Sequence, residues 1–167
     1  MADRPQEEFS TATSMRERVE AALASGAARE KTEITLKISG GLPQQSYDFD
    51  FRAGGDGRAT CSFRNRLRKR DGKKSGRLKR ERYAALLDTC VQSGLLEQPT
   101  EHGPFLPDTL VGCLEICSNE HSYKTYFAAD PEQAKTQGME PSASLSRVVD
   151  TIYAEGARLL GKRSVKP

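Results

Sequence analysis

Three stretches of this chain alternate apolar and polar residues with a period of two. Ile34, Leu36 and Ile38 alternate with Glu33, Thr35 and Lys37. Tyr47, Phe49 and Phe51 alternate with Asp48, Asp50 and Arg52, and Ala59, Cys61 and Phe63 with Arg58, Thr60, Ser62 and Arg64. A strand so patterned buries one face and wets the other. Gly40-Gly41-Leu42-Pro43 breaks the first stretch, and Gly54-Gly55-Asp56-Gly57 joins the second to the third. Three such strands in succession, with short breaks, call for an antiparallel sheet covered on one face.

Parity fixes the register of the second hairpin. Residues opposite one another share a face, so odd-numbered apolar residues must pair with odd-numbered ones. A four-residue loop closing Ala53 on Arg58 would mix the faces. A three-residue loop, Gly55 to Gly57, keeps them apart and offers glycine for the left-handed position. Phe51 then faces Cys61, Phe49 faces Phe63, and Asp48 faces Arg64, an opposite-charge pair worth roughly 0.2–1 kcal/mol.

Ser14-Met15-Arg16-Glu17 has the form of a capping box, and Met15, Val19, Ala22 and Leu23 follow at helical spacing. The pattern predicts a helix over 14–26. Tyr83, Leu86, Leu87, Cys90 and Val91 form a second helical stripe, predicted over 78–93, with Gly94 as C′. Two further strands follow. Leu110, Gly112, Leu114 and Ile116 alternate with Val111, Cys113 and Glu115; a turn at Ser118–Glu120 leads into HSYKTYFAA, which places Glu115 near Lys124. Asp130-Pro131 reads as an N-cap with proline at N1. Leu145, Val148, Val149, Ile152, Leu159 and Leu160 mark a last helix with Pro141 near its start.

The order is α-βββ-α-ββ-α. This is an α+β protein: one antiparallel sheet of about five strands, with helices packed mainly on one face. Residues 13–161 form the single domain, 1–12 are expected to be a disordered tail, and 162–167 a loose end. In element order the chain resembles the class I secretion chaperones of bacterial injection systems, which are dimers. That resemblance implies a protein-interaction module, adaptor-like and homodimeric.

At 167 residues, 36% hydrophobic and 29% charged, the chain is long enough for one buried core. No apolar run approaches the ~20 residues of a membrane span. The start, MADRPQEEFS, lacks the basic and apolar regions of a secretory signal. Four cysteines in this length do not make a disulfide-stapled domain. These features together point to a cytoplasmic protein.

The charge is unevenly placed. Residues 64–82 read RNRLRKRDGKKSGRLKRER, eleven cations against two carboxylates. The segment carries +9 in a chain of formal net charge +3, which leaves −6 for the rest. Such a field is directional and orients an anionic partner. If the third strand runs on to residue 70, Arg64, Arg66, Arg68 and Arg70 share one face about 6.8 Å apart. Arg77, Lys79, Arg80 and Arg82 open the following helix, where its dipole favours carboxylates instead. A phosphate at that helix start would reverse the penalty. The plainer reading is a solvated basic connector that protects a sheet edge.

The candidate polyanion-binding residues are Arg64, Arg66, Arg68, Lys69, Arg70, Lys73, Lys74, Arg77, Lys79, Arg80 and Arg82. Nucleic acid is the commonest partner for such a segment, with acidic proteins and anionic headgroups as alternatives. The segment matches no P-loop and carries no RNA-binding aromatic signature. Tyr47, Phe49 and Phe51 read as core.

Cys113-x3-Cys117-x3-His121 invites a zinc reading. On a strand, however, the two cysteines lie about 13 Å apart, too far to share a metal or a disulfide. Cys61 and Cys90 fall on apolar faces. His102 and His121 lie in expected loops without an adjacent nucleophile. The sequence reads as a non-enzymatic binding domain with no cofactor, catalytic residue or metal site.

Overall fold

The computed structural model describes residues 13–167. The tail expected over 1–12 lies outside them. Ser14 opens α1 (Met15–Ala24) through the reciprocal capping box with Glu17. Ser25 ends α1 and caps a one-turn helix, α2 (Gly26–Glu30). The single helix expected over 14–26 is therefore two. The break comes at Ser25, which takes an extended backbone conformation rather than a helical one.

The strands are β1 (Thr32–Gly40), β2 (Tyr47–Gly54), β3 (Arg58–Asn65), β4 (Arg70–Arg77), β5 (Val111–Ser118) and β6 (His121–Ala128). They form one antiparallel sheet in the order β4-β3-β2-β1-β5-β6. Helix α3 (Arg80–Gln92) follows β4, a short 3-10 turn spans Leu95–Glu97, α4 (Pro131–Gln137) follows β6, and α5 (Ala143–Leu160) closes the fold. The sheet has six strands where about five were expected. The extra one is β4, which carries no apolar alternation to announce it.

The alternation sets the faces as expected. Leu36 pairs with Phe51 on one side and Leu114 on the other. Phe51 pairs with Cys61, Phe49 with Phe63, and Asp48 with Arg64; Glu115 pairs with Lys124. The β2–β3 loop is the three residues Gly55–Gly57, and Gly57 takes φ +88°, which an L side chain rarely adopts. Ile34, Leu36, Phe49, Phe51, Cys61, Leu114 and Ile116 are all but completely buried under α1, α3 and α5. Each such large apolar side chain contributes roughly 1.5–3 kcal/mol. The Phe49 and Tyr153 rings meet at 5.1 Å and 57°, joining β2 to α5 in a tilted aromatic pair.

Among the described residues every α-helix start but one is capped by a side chain. Ser14, Ser25, Asp130 and Ser142 each accept a main-chain N–H from the first turn. Lys79, the N-cap of α3, makes no such bond.

The last residues are not loose. Val165 is buried, its carbonyl accepts the Tyr47 hydroxyl, and Lys166 pairs with Asp150 at 2.6 Å. That bond satisfies the buried Tyr47 hydroxyl and holds the end in place. Among the described residues no helix is long and apolar enough to cross a membrane.

Candidate anion-binding edge

The third strand stops at Asn65. Its side-chain oxygen accepts the Arg68 N–H at 3.0 Å, the Lys69 N–H bonds the Arg66 carbonyl at 3.2 Å, and Lys69 sits at φ +48°. These bonds fold residues 66–69 into a tight turn, and the chain returns as β4. The single strand face expected to carry Arg64, Arg66, Arg68 and Arg70 therefore does not form. Arg64 is on β3, Arg66 and Arg68 are in the turn, and Arg70 opens β4. An Asn with a free acceptor and a residue adopting the left-handed region outweigh the continued alternation of Phe63 to Arg70.

The eleven candidate cations go to four places along one border of the sheet. Arg66, Arg68 and Lys69 surround the turn, where Leu67 is 65% exposed and Arg66 donates to the Pro43 carbonyl. Arg64, Lys73 and Arg77 stand on the uncovered face. Arg70 and Lys74 point to the helix side of the edge strand, and Arg70 donates to the Ser164 carbonyl at 3.0 Å. Lys79, Arg80 and Arg82 gather at the start of α3, two residues later than expected. Arg58, which sequence reasoning did not single out, adds a further cation directly opposite Arg77. Like charges in that position are destabilising, and extending the parity argument past β3 would have found the pair.

Few carboxylates answer these charges. Among the described residues Arg82 alone of the eleven forms an ion pair, with Glu155 at 2.8 Å. Arg64 lies between Asp48 and Asp71 in the register but pairs ionically with neither. The cross-strand position expected of Asp48 is present without the salt bridge.

Two glycines explain how so polar a strand fits. Gly72 and Gly76 lie opposite Phe63 and Ala59 on the covered side. A Cβ on Gly76 would lie 3.1 Å from Leu159 Cδ1, and one on Gly72 would lie 2.9 Å from Lys162 Cε. The end of α5 rests where those side chains would be.

The edge also has a defined hydrogen-bond phase. The Leu78 N–H bonds the Gly57 carbonyl at 2.8 Å, and by antiparallel alternation Gly76, Lys74, Gly72 and Arg70 form the bonded pairs with β3. Asp71, Lys73, Ser75 and Arg77 consequently direct their N–H and C=O groups outward. Among the described residues none of these groups meets a protein partner.

Elsewhere the chemistry is sparse. Cys113 and Cys117 lie on β5 with their side chains on the uncovered face, as strand geometry requires. Burial pushes the Cys61 and Cys90 thiols up to about 12, so both are protonated at neutral pH. His102 lies near the Tyr126 ring, and His121 begins β6. Among the described residues no three His, Cys, Asp or Glu side chains gather into a metal-binding group. No protein-family model matches the chain, and no curated protein matches it either.

Proposed function

We propose that this chain is a non-enzymatic binding domain that holds a polyanion along the β4 edge and the adjoining start of α3. The observation carrying the reading is that ten of the eleven cations of residues 64–82 have no carboxylate partner among the described residues, although they crowd one border of the sheet. Folding alone gives little reason for this, since neighbouring like charges repel and cations at a helix start oppose its dipole. A row of phosphates or carboxylates relieves both costs.

Nucleic acid is the first polyanion to test. Labelled single- and double-stranded DNA and RNA are titrated at two salt concentrations. The expected result is binding that weakens steeply with salt, with log K falling by about 0.9 per tenfold rise in salt for each phosphate neutralised on a duplex. No binding at low salt removes nucleic acid as the partner.

A second reading, a protein-interaction module working as an adaptor or a homodimer, is favoured by the uncovered face of the sheet. Light scattering, with pull-down from nuclease-treated lysate, tests it; a monomer whose partners all vanish with nuclease counts against it. The two buried free thiols suit a reducing compartment, and we assign the protein to the cytoplasm.

A further inference from the structure

The two borders of the sheet are finished differently. At β6 the outward Tyr126 N–H is taken by the Glu101 carbonyl at 2.9 Å, and the Glu101 N–H bonds the Thr125 hydroxyl at 3.1 Å. The loop before β5 therefore lies against that border at Tyr126, while the outward main-chain groups of Ser122 and Lys124 meet no partner among the described residues. At β4 nothing comparable occurs. The strand is eight residues long, contains no proline and pairs without a bulge, and its outward groups meet no partner among the described residues. It is a template for one more strand.

We infer that the β4 edge takes an extended acidic polypeptide segment as a seventh, antiparallel strand. This rests on the polyanion reading and names the class of polyanion. Two observations select it. The outward groups of β4 alternate donor and acceptor. A phosphate backbone can use the N–H groups of Asp71, Lys73, Ser75 and Arg77 but would be repelled by their carbonyl oxygens, whereas a peptide main chain uses both. Secondly, the side chains flanking those groups carry four cations and one carboxylate, so opposite charge is needed across the new pairing.

The same charge turns away a second copy. Pairing β4 with its own twin in the outward-bonded phase, Asp71 opposite Arg77, sets Lys74 against Lys74 and brings six net positive charges onto two strands. Edge lysines usually guard against strand addition. Here they act as a filter that admits a strand of one sign.

The register specifies the partner. Residues opposite Arg77, Lys74, Lys73 and Arg70 are acidic. Those opposite Gly76 and Gly72 face the covered side, where Leu159 and Leu160 lie beside the missing side chains, and are apolar. A fluorescent probe written antiparallel to β4 is therefore Glu-Val-Thr-Glu-Glu-Val-Thr-Glu.

The test uses the full chain and this peptide, with a DNA duplex as the comparison. The expected result is salt-sensitive peptide binding that slows amide exchange at Asp71, Lys73, Ser75 and Arg77 by at least tenfold and leaves the already slow Gly72, Lys74 and Gly76 amides unchanged. Ser75→Pro removes one outward donor without altering charge or the ladder to β3. It should weaken the peptide at least tenfold and leave duplex binding as it was. Should that variant fail to fold, N-methylation of the peptide provides the same contrast. Methyl groups at residues opposite the outward positions abolish binding, and methyl groups at the other phase do not. Peptide binding without alternating protection, or indifferent to both changes, overturns strand addition and leaves the polyanion reading standing. Duplex binding with no peptide binding at low salt does the same and makes nucleic acid the partner. Failure of both probes overturns the inference and the reading together.

Discussion

Lys79→Asp places stability and binding in opposition at one residue. Lys79 is the one α-helix N-cap among the described residues that offers no side-chain acceptor, and its extended backbone (φ −59°, ψ 144°) already suits the role. An Asp carboxylate there would accept the N–H of Glu81 or Arg82, a cap worth about 1 kcal/mol. Removing the cation and adding an anion at the positive end of the dipole each contribute roughly 0.3–1 kcal/mol at low salt. The sum is about 2 kcal/mol, which in a chain of this length raises Tm by roughly 4–8 °C. Two companions separate the causes: Lys79→Ala removes only the charge, and Lys79→Ser restores a cap without an anion. Thermal and urea melts at low salt give the order Asp, Ser, Ala, parent. If Ser is no more stable than Ala, the open cap is not the cause. The polyanion titration supplies the other half. In the Asp variant the salt slope should fall by about 0.9 if Lys79 meets a phosphate. A variant that is more stable and binds with unchanged affinity and slope removes the start of α3 from the site.

Other outcomes follow from the same geometry. Gly112→Ala would set a Cβ 2.3 Å from Phe127 Cζ, and overpacking of this kind costs roughly 1–3 kcal/mol in urea melts; Phe127→Leu in the same chain should recover part of it, and no recovery refutes the stated clash. Ending the chain after Arg163 removes buried Val165 and the acceptor of the Tyr47 hydroxyl; a loss of about 2–4 kcal/mol is expected, and an unchanged melt would mean the end does not brace the core. Cys61 and Cys90 are raised from 9.0 to about 12 by burial. Their neutral forms therefore stabilise the fold fully below pH 9, and that contribution is lost as pH rises from 9 towards 12. Stability in urea should decline over that window, more shallowly in a Cys90→Ala variant than in the parent, and thiol reagents at pH 8 should leave both residues unmodified until the protein is denatured.

Where apolar residues alternate with polar ones, the sequence carried the strand, its face and its partner. Phe49 opposite Phe63 and Glu115 opposite Lys124 needed only parity and the length of a glycine loop. The capping box at Ser14 and the Asp130-Pro131 pair marked helix starts for the same reason, since their signals are local hydrogen bonds. Arg70–Arg77 gave no such signal. Its covered side is glycine, because the end of α5 occupies the space, and its other side is wet, so neither face shows an apolar period. The spacing of Gly72 and Gly76 was the surviving trace. Val165 was equally hidden: one apolar residue among KRSVKP has no period, and only the position of the Tyr47 hydroxyl shows why it is buried. Of the candidate site, the residue types were legible and their distribution was not, because a turn at Asn65–Lys69 sends neighbours in sequence to different sides of the sheet.

The unequal borders have a consequence for growth. A sheet that can add strands at both ends polymerises, and one that can add at neither stays inert. This one has its own loop against Tyr126 at β6 and a row of like charge at β4, so copies of the chain would have to overcome repulsion to pair through β4. Under the strand-addition proposal, charge would be what limits growth by like copies at β4. Salt controls that limit: screening the charges on β4 weakens the docked strand and the repulsion between copies together. Under the same proposal, rising salt would favour self-association at β4 while disfavouring the acidic strand.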